Sequence, residues 1–196
     1  MSKGAGTRDR IIERALRTAS VDGLEGISLG RLALDVGMSK SGLFAHFASK
    51  EALQLDVLAA AAEKFTEVVV HPAFQTQRGE PRVRALFEHW LRWERNESLP
   101  GGCIFMHAIA ELDDRPGPAR DALVDWQRQW LDALAKAVRI AVNEGHFHAG
   151  VDAELFAFQE YGLVIAYYHA RRLFNDPRAE ERVRGAFDAL VTAARA

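Results

Sequence analysis

The sequence has a single cysteine, Cys103, so no internal disulfide can form. Its neighbours are apolar, a setting that raises a thiol pKa and lowers its reactivity, and a redox role is the lesser reading. No apolar run approaches the roughly 18 residues that span a bilayer, and no basic-then-apolar segment opens the chain. A cytoplasmic protein with no membrane partner is therefore expected. Phosphate-binding loops, dinucleotide fingerprints and Ser-His-Asp contexts are missing too, so neither a cofactor nor a catalytic residue is expected. His146 and His148 flank Phe147 with no cysteine or carboxylate ligand pattern nearby, which reads as a loop and not a metal site. Asp113-Asp114 suggests the carboxylate pair of a metal–diphosphate lyase. Arg-Pro-Gly-Pro follows at once, with no second acidic motif downstream, and turn and cap chemistry accounts for the pair better. No stretch alternates with period two, and there is no internal repeat or low-complexity segment.

What is present is a chain of 196 residues, 48% of them hydrophobic, enough for a small head and a larger core. Its net charge of −2 is unevenly spread. Residues 1–50 hold eight Lys/Arg against five acids, a net of +3, which leaves −5 for the remainder. An anionic partner at one end fits that asymmetry.

Apolar residues recur every three or four positions over most of the length. After a tail at Met1–Gly6, a helix is expected over Thr7–Val21 with Ile11, Ile12, Ala15, Leu16 and Ala19 on one stripe. The exposed Arg8, Arg10, Arg14 and Arg17 of this helix can face solvent or lie near phosphates. Ser49 caps a helix of about 20 residues through Leu53, Val57, Ala61, Phe65 and Val68, closed by Pro72. A polar loop, His71–Glu80, precedes a helix with Val83, Leu86, Phe87, Trp90 and Leu91 inward. Cys103–Leu112 is apolar nearly all round, which predicts burial on every side. Helices follow at about Ala119–Glu144, after the cap Asp152, and after the N-cap/N1 pair Asp176-Pro177. Nine helices and no sheet are expected, an all-α fold.

The most informative stretch is Ser28–Phe47, SLGRLALDVGMSKSGLFAHF. Leu29, Leu32, Ala33 and Val36 form one helical face behind the N-cap Ser28. Gly37 falls where a left-handed C′ residue is needed. Ser39 caps a second helix whose Leu43 and Phe47 face inward, leaving a thinly clothed outer face of Lys40, Ser41, Gly42, Ala45 and His46. Two short helices hinged at a glycine make a helix-turn-helix, whose second helix enters the DNA major groove by its N-terminal end.

With its flanks, SLGRLALDVGMSKSGLFAHFASKEAL after a linker containing VDGLEG, this stretch resembles the N-terminal domain of the tetracycline-repressor (TetR) family. The resemblance covers about the first quarter of the chain, and beyond it extends to size and helical layout. It implies a three-helix head at residues 1–49 and a six-helix ligand-binding and dimerisation core at 50–196. It further implies a homodimer closed by a four-helix bundle of the last two helices of each copy. In such a head Ser39, Lys40, Ser41 and His46 suit phosphates or base edges, and Ser28 and Lys50 suit the DNA backbone. Gly42 permits close approach, and Phe44 can touch a thymine methyl or sugar. Phe44 stands where the family most often has tyrosine, so a phenolic phosphate contact is lost, and Ala45 beside it is small.

The resemblance also implies a small-molecule effector held in the core. Phe87, Trp90, Phe105, Met106, Trp126, Trp130, Phe158 and Tyr161 are the candidate lining, with His107 and Glu111 as polar groups that orient the ligand. Few charges fall on these faces, so a hydrophobic effector, neutral or weakly cationic, is expected. Two other readings stand beside this one. The first is a ligand-independent DNA-binding regulator with a filled core. The second is an all-α enzyme with a structural head, for which the sequence supplies no catalytic constellation.

Overall fold

The computed structural model describes residues 3–196, with side chains from Gly6 onward. Among these residues the structure is helical, with one isolated bridge between Phe147 and Arg195 and no strand. The helices are α1 (Lys3–Asp22), α2 (Leu29–Asp35), α3 (Lys40–Phe44), α4 (Lys50–Phe65), α5 (His71–Phe74), α6 (Glu80–Glu94), α7 (Ile104–Leu112), α8 (Pro118–Asn143), α9 (Ala153–Arg172) and α10 (Ala179–Ala194). The chain packs as two units. One runs up to Thr66 and takes in Trp93–Trp126; the other is Glu67–Arg92 with Gln127–Ala196.

In the first unit α1 buries the stripe Ile11, Ile12, Ala15, Leu16 and Ala19. The helix starts at Lys3, not at Thr7 as expected, so the described part of the expected tail is helical. Local chemistry ends the next helices as the sequence predicts. Gly37 at φ 71° closes α2 with a paired return: its N–H donates to Leu34 O at 3.0 Å, and that of Met38 to Ala33 O at 2.8 Å. Ser49 Oγ accepts from Ala52 N at 3.0 Å to start α4, with Glu51 in the first turn.

The helix that begins at Ser49 does not stop at Pro72. After Phe65 it widens into a π-helical turn, Thr66–Val70, and resumes as α5 with Pro72 in the first turn, where a missing N–H costs nothing. The polar segment from His71, expected as loop, is therefore helical as far as Phe74.

Aromatic rings fill this unit. Phe65 meets the edges of Trp93 and Trp126 at 5.4 and 5.1 Å, and Phe105 stacks on Trp126 at 3.7 Å. On α7, Ile104, Phe105, Ala108 and Leu112 are buried, but Met106, His107 and Ile109 are half-buried and Ala110 is exposed. Burial on all sides was expected; one stripe and not the whole helix faces the core. Cys103 stands at its N-cap with its backbone N–H donating to buried Glu94 Oε2 at 2.8 Å, and burial pushes its thiol up to about 12.

In the second unit α6 turns Val83, Leu86, Phe87 and Trp90 inward. Phe87 stacks on Phe187 of α10 at 3.9 Å, and Trp90 meets the edge of Tyr167 of α9 at 6.2 Å. Asp152 Oδ1 caps α9 by accepting from Leu155 N at 2.9 Å. Asp176-Pro177 does not cap α10 directly. Asp176 Oδ1 accepts from Arg178 N at 2.9 Å in a turn before the helix, and Arg178 holds the N-cap position. Glu80 binds Arg195 and Arg84, and Arg195 foremost holds its carboxyl down at about 2.

Candidate nucleic-acid interface

The head presents α3 as the sequence predicts. Leu43 and Phe47 are buried against the helices behind, while Ser39, Lys40, Ser41, Phe44 and Ala45 are exposed. Ser39 Oγ accepts from Gly42 N at 3.0 Å and lies 3.1 Å from Ser41 Oγ, so these hydroxyls set the start of the helix as well as facing outward. Gly42 and His46 are half-buried. Ser28 Oγ caps α2 at 3.5 Å from Arg31 N. Arg31 and Lys40 form no ion pair among the described residues, and both are exposed.

Other cations of the head are engaged. Arg8 pairs with Asp56, Arg14 binds Asp35 through Nε and Nη2 at 3.0 and 2.8 Å, and Arg10 donates to Val36 O at 3.3 Å. Their expected reach toward phosphates gives way to holding α1 on α2 and α4. Lys50 is engaged in the same way. Its Nζ donates to Glu25 O at 2.8 Å and Glu25 Oε2 at 3.1 Å, and this contact, ahead of Gln54, holds the Glu25 carboxyl below its ordinary value. Arg31, which sequence reasoning passed over, is exposed in the first turns of α2.

Glu111 has a structural partner too. Its Oε2 accepts from Leu24 N at 2.7 Å, so the group expected to orient a ligand fastens the α1–α2 linker to α7. Gly23, at φ 75°, lies so close that a Cβ there would fall 1.9 Å from Glu111 Oε1. Gln54 Nε2 donates to Leu24 O at 3.1 Å from the other side. Gly101, in the loop before α7, donates to Ser20 Oγ at 3.3 Å. The α1–α2 linker is thus held by α7, and the end of α1 by the loop that leads into α7.

The candidate ligand residues divide between the two units. Phe105, Met106, His107, Glu111 and Trp126 belong to the first, and Phe87, Trp90, Trp130, Phe158 and Tyr161 to the second. Trp90 and Trp130 are buried, and Trp126 is half-buried in its stack. Tyr161 donates from its hydroxyl to Gln127 Oε1 at 3.1 Å. Phe158 is 72% exposed, so it lines no interior face; it points outward from α9 with Leu155, at 52%. Among the buried polar groups that sequence reasoning missed is Glu160. Its signal was an acid set four residues from both Phe156 and Val164, inside an inward apolar stripe.

Two short capped helices hinged at Gly37, the second with an exposed outer face, define a helix-turn-helix. Residues 11–57 match the description "Bacterial regulatory proteins, tetR family", and residues 79–187 match "Tetracyclin repressor-like, C-terminal domain". The chain belongs to the tetracycline-repressor family of transcriptional regulators. No curated protein matches it in sequence. Among solved structures it resembles a TetR transcriptional regulator from Chloroflexus aurantiacus at 23% identity and TM-score 0.87, over 98% of this chain and 96% of that one. It also resembles a regulator from Cytophaga hutchinsonii at 19% identity and TM-score 0.86, over 100% and 98%. AibR, solved with isovaleryl coenzyme A and operator DNA, is 25% identical with TM-score 0.73, over 96% and 98%. No helix among the described residues is long and apolar enough to cross a membrane.

Proposed function

We propose that the protein is a cytoplasmic, non-enzymatic repressor that binds a pseudo-palindromic operator as a homodimer and is released by a small hydrophobic effector. Residues 1–49 read DNA in this proposal, and 50–196 bind the effector and the second copy. The observation that carries it is the exposed α3 with Lys40 unpaired on a head of net positive charge. Ser28, Ser39, Ser41, Gly42, Phe44, His46 and Lys50 complete the contact surface, with Arg31 added; Lys50 would exchange its bond to Glu25 for a phosphate. In a dimer the two recognition helices must lie about 34–36 Å apart, or a multiple of that spacing, to enter successive major grooves. An effector that binds better to a state with the wrong spacing lowers operator affinity, and only that difference in affinity does so. The hold of Glu111 on the α1–α2 linker and of Gly101 on the end of α1 is a route by which motion of α7 reaches the head. AibR, which is solved with both an acyl-coenzyme A and operator DNA, supports an effector-responsive reading by likeness.

Genome-wide footprinting with the purified protein tests the proposal. It should recover a two-fold symmetric site, and Lys40→Ala should weaken binding to that site while the helical spectrum is unchanged. If Lys40 meets a phosphate, the salt slope of log affinity should fall by about one. Loss of no affinity and no slope would remove Lys40 from the interface, and footprints without symmetry would remove the dimeric operator.

The second copy is proposed to cover the outer faces of α9 and α10. Leu155, Phe158, Gly162 and Ala166 form an exposed row on α9, continued by Leu173 and Phe174 at 69% and 70% exposure. Gly185 and Ala189 give α10 an exposed row of small residues, which lets helices approach closely in a two-fold bundle. A Cβ at Gly162 meets nothing within 4 Å, so a large side chain there is harmless to the single chain. Gly162→Trp should therefore shift sedimentation toward monomer without loss of fold. A dimer that persists would place the interface elsewhere.

A second reading has its own observation. Phe87 on Phe187 and Phe105 on Trp126 are pairs of rings stacked on each other, as a core without a ligand would have them. Trp130→Ala separates the two, since it should weaken effector release more than operator binding only where an effector is bound.

A further inference from the structure

Glu160 is 2% exposed, and its Oε2 is buried with no hydrogen-bond partner among the described residues. It lies on the face that α9 turns inward, with Phe156 and Val164 one turn to either side and Tyr167 two turns on. At that face Tyr167 meets the edge of Trp90, itself 3% exposed, on α6. The next residue, Tyr161, reaches α8 through Gln127, one turn before buried Trp130. A carboxyl group thus shares the inward face of α9 with Phe156 and Tyr167, and no ion pair to it is found among the described residues.

Buried polar groups are satisfied in nearly every native structure, and an orphaned one marks a missing partner. Stability does not account for an acid at this position, because leucine would fill the same space at lower cost. A cation is the partner that the chemistry asks for. It would pair with the carboxylate at low dielectric and lie against the electron-rich faces of the neighbouring rings.

We propose that Glu160 is the residue that selects the effector, and that the effector is a lipophilic organic cation, an aryl-alkyl ammonium or amidinium, whose charged nitrogen pairs with this carboxylate. The assignment rests on the effector-responsive reading above and narrows it to one class of ligand. Without ligand, burial raises the carboxyl pKa to about 8, so the group is mostly protonated at neutral pH. Pairing with a cation ionises it, and its proton leaves to buffer. Binding of a permanent cation therefore releases about one proton per site at pH 7, and the released fraction falls above pH 8.

The test uses a series of aryl-alkyl trimethylammonium ions and alcohols of matching carbon skeleton, read by tryptophan quenching, operator release and calorimetry in buffers of differing ionisation enthalpy. Ammonium ions should bind the wild-type protein at least tenfold more tightly than the alcohols, with about one proton released. Glu160→Gln should abolish both the preference and the proton release while operator binding without ligand is retained. Glu160→Met, similar in length and uncharged, repeats the measurement should the amide fail to fold. Alcohols that bind and release operator as well as the ammonium ions, or cation binding without proton release, would overturn the role of Glu160 and leave the effector reading standing. If neither series quenches the tryptophans or releases operator, the effector reading falls and the assignment with it.

Discussion

Gly101→Ala should lower stability by about 3 kcal/mol and weaken operator binding together with it, the largest loss expected from any one-methyl change in this chain. A Cβ at Gly101 would lie 1.5 Å from Ser20 O and 2.6 Å from Val21 N, both backbone atoms at the end of α1. No rotamer change relieves such a contact. Either the loop before α7 lifts away or α1 shifts, and in both cases the hold of that loop on the end of α1 is lost. For a chain of this size each kcal/mol shifts the midpoint by about 2–4 °C, so thermal melting should show a fall of roughly 6–12 °C. Gly30→Ala is the matched control for melting, because a Cβ there meets nothing. If Gly101→Ala melts with the wild type, the close packing of this loop on α1 is wrong.

Glu160 gives the second large effect, in stability as a function of pH. Its folded pKa of about 8 lies above the ordinary 4.5, so the native state holds this proton more tightly than the unfolded chain. The contribution is therefore favourable at low pH. It is lost as pH rises from about 4.5 to about 8, and is level beyond. Each unit corresponds to about 1.4 kcal/mol, so the loss across the window amounts to a few kcal/mol. Glu160→Gln removes this term. Relative to wild type, the variant should gain stability steadily between pH 5 and pH 8 in urea unfolding. A difference independent of pH would mean that the carboxyl group is solvated or paired.

What the sequence disclosed well was local. Ser39, Ser49 and Asp152 cap helices within three residues of themselves, and Gly37 turns on its own backbone, so their roles are written in short windows. The apolar stripes of α1 and α6 were legible for the same reason. What it concealed depends on partners far along the chain. Glu111 looked like a polar group awaiting a ligand because its acceptor role is filled by Leu24, 87 residues away. Lys50 looked available for phosphate because Glu25 is brought to it only by folding. Phe158 was assigned inward because α9 is apolar on more than one face, and periodicity alone does not say which face meets the core. The π-helical turn had no sequence signal beyond the β-branched run Val68–Val70, which strains a regular helix without naming where it will open.

Cys103 makes the molecule its own stopwatch. As the sole thiol, 2% exposed and with its pKa pushed up to about 12, it is nearly inert while the loop before α7 stays in place. A disulfide reagent in excess can react only during the moments when that loop lets go. Its single-exponential consumption therefore counts those openings under native conditions, without label or denaturant. Two residues from Gly101 and at the cap of the helix that grips the linker, the clock sits where loosening of the head would first be felt.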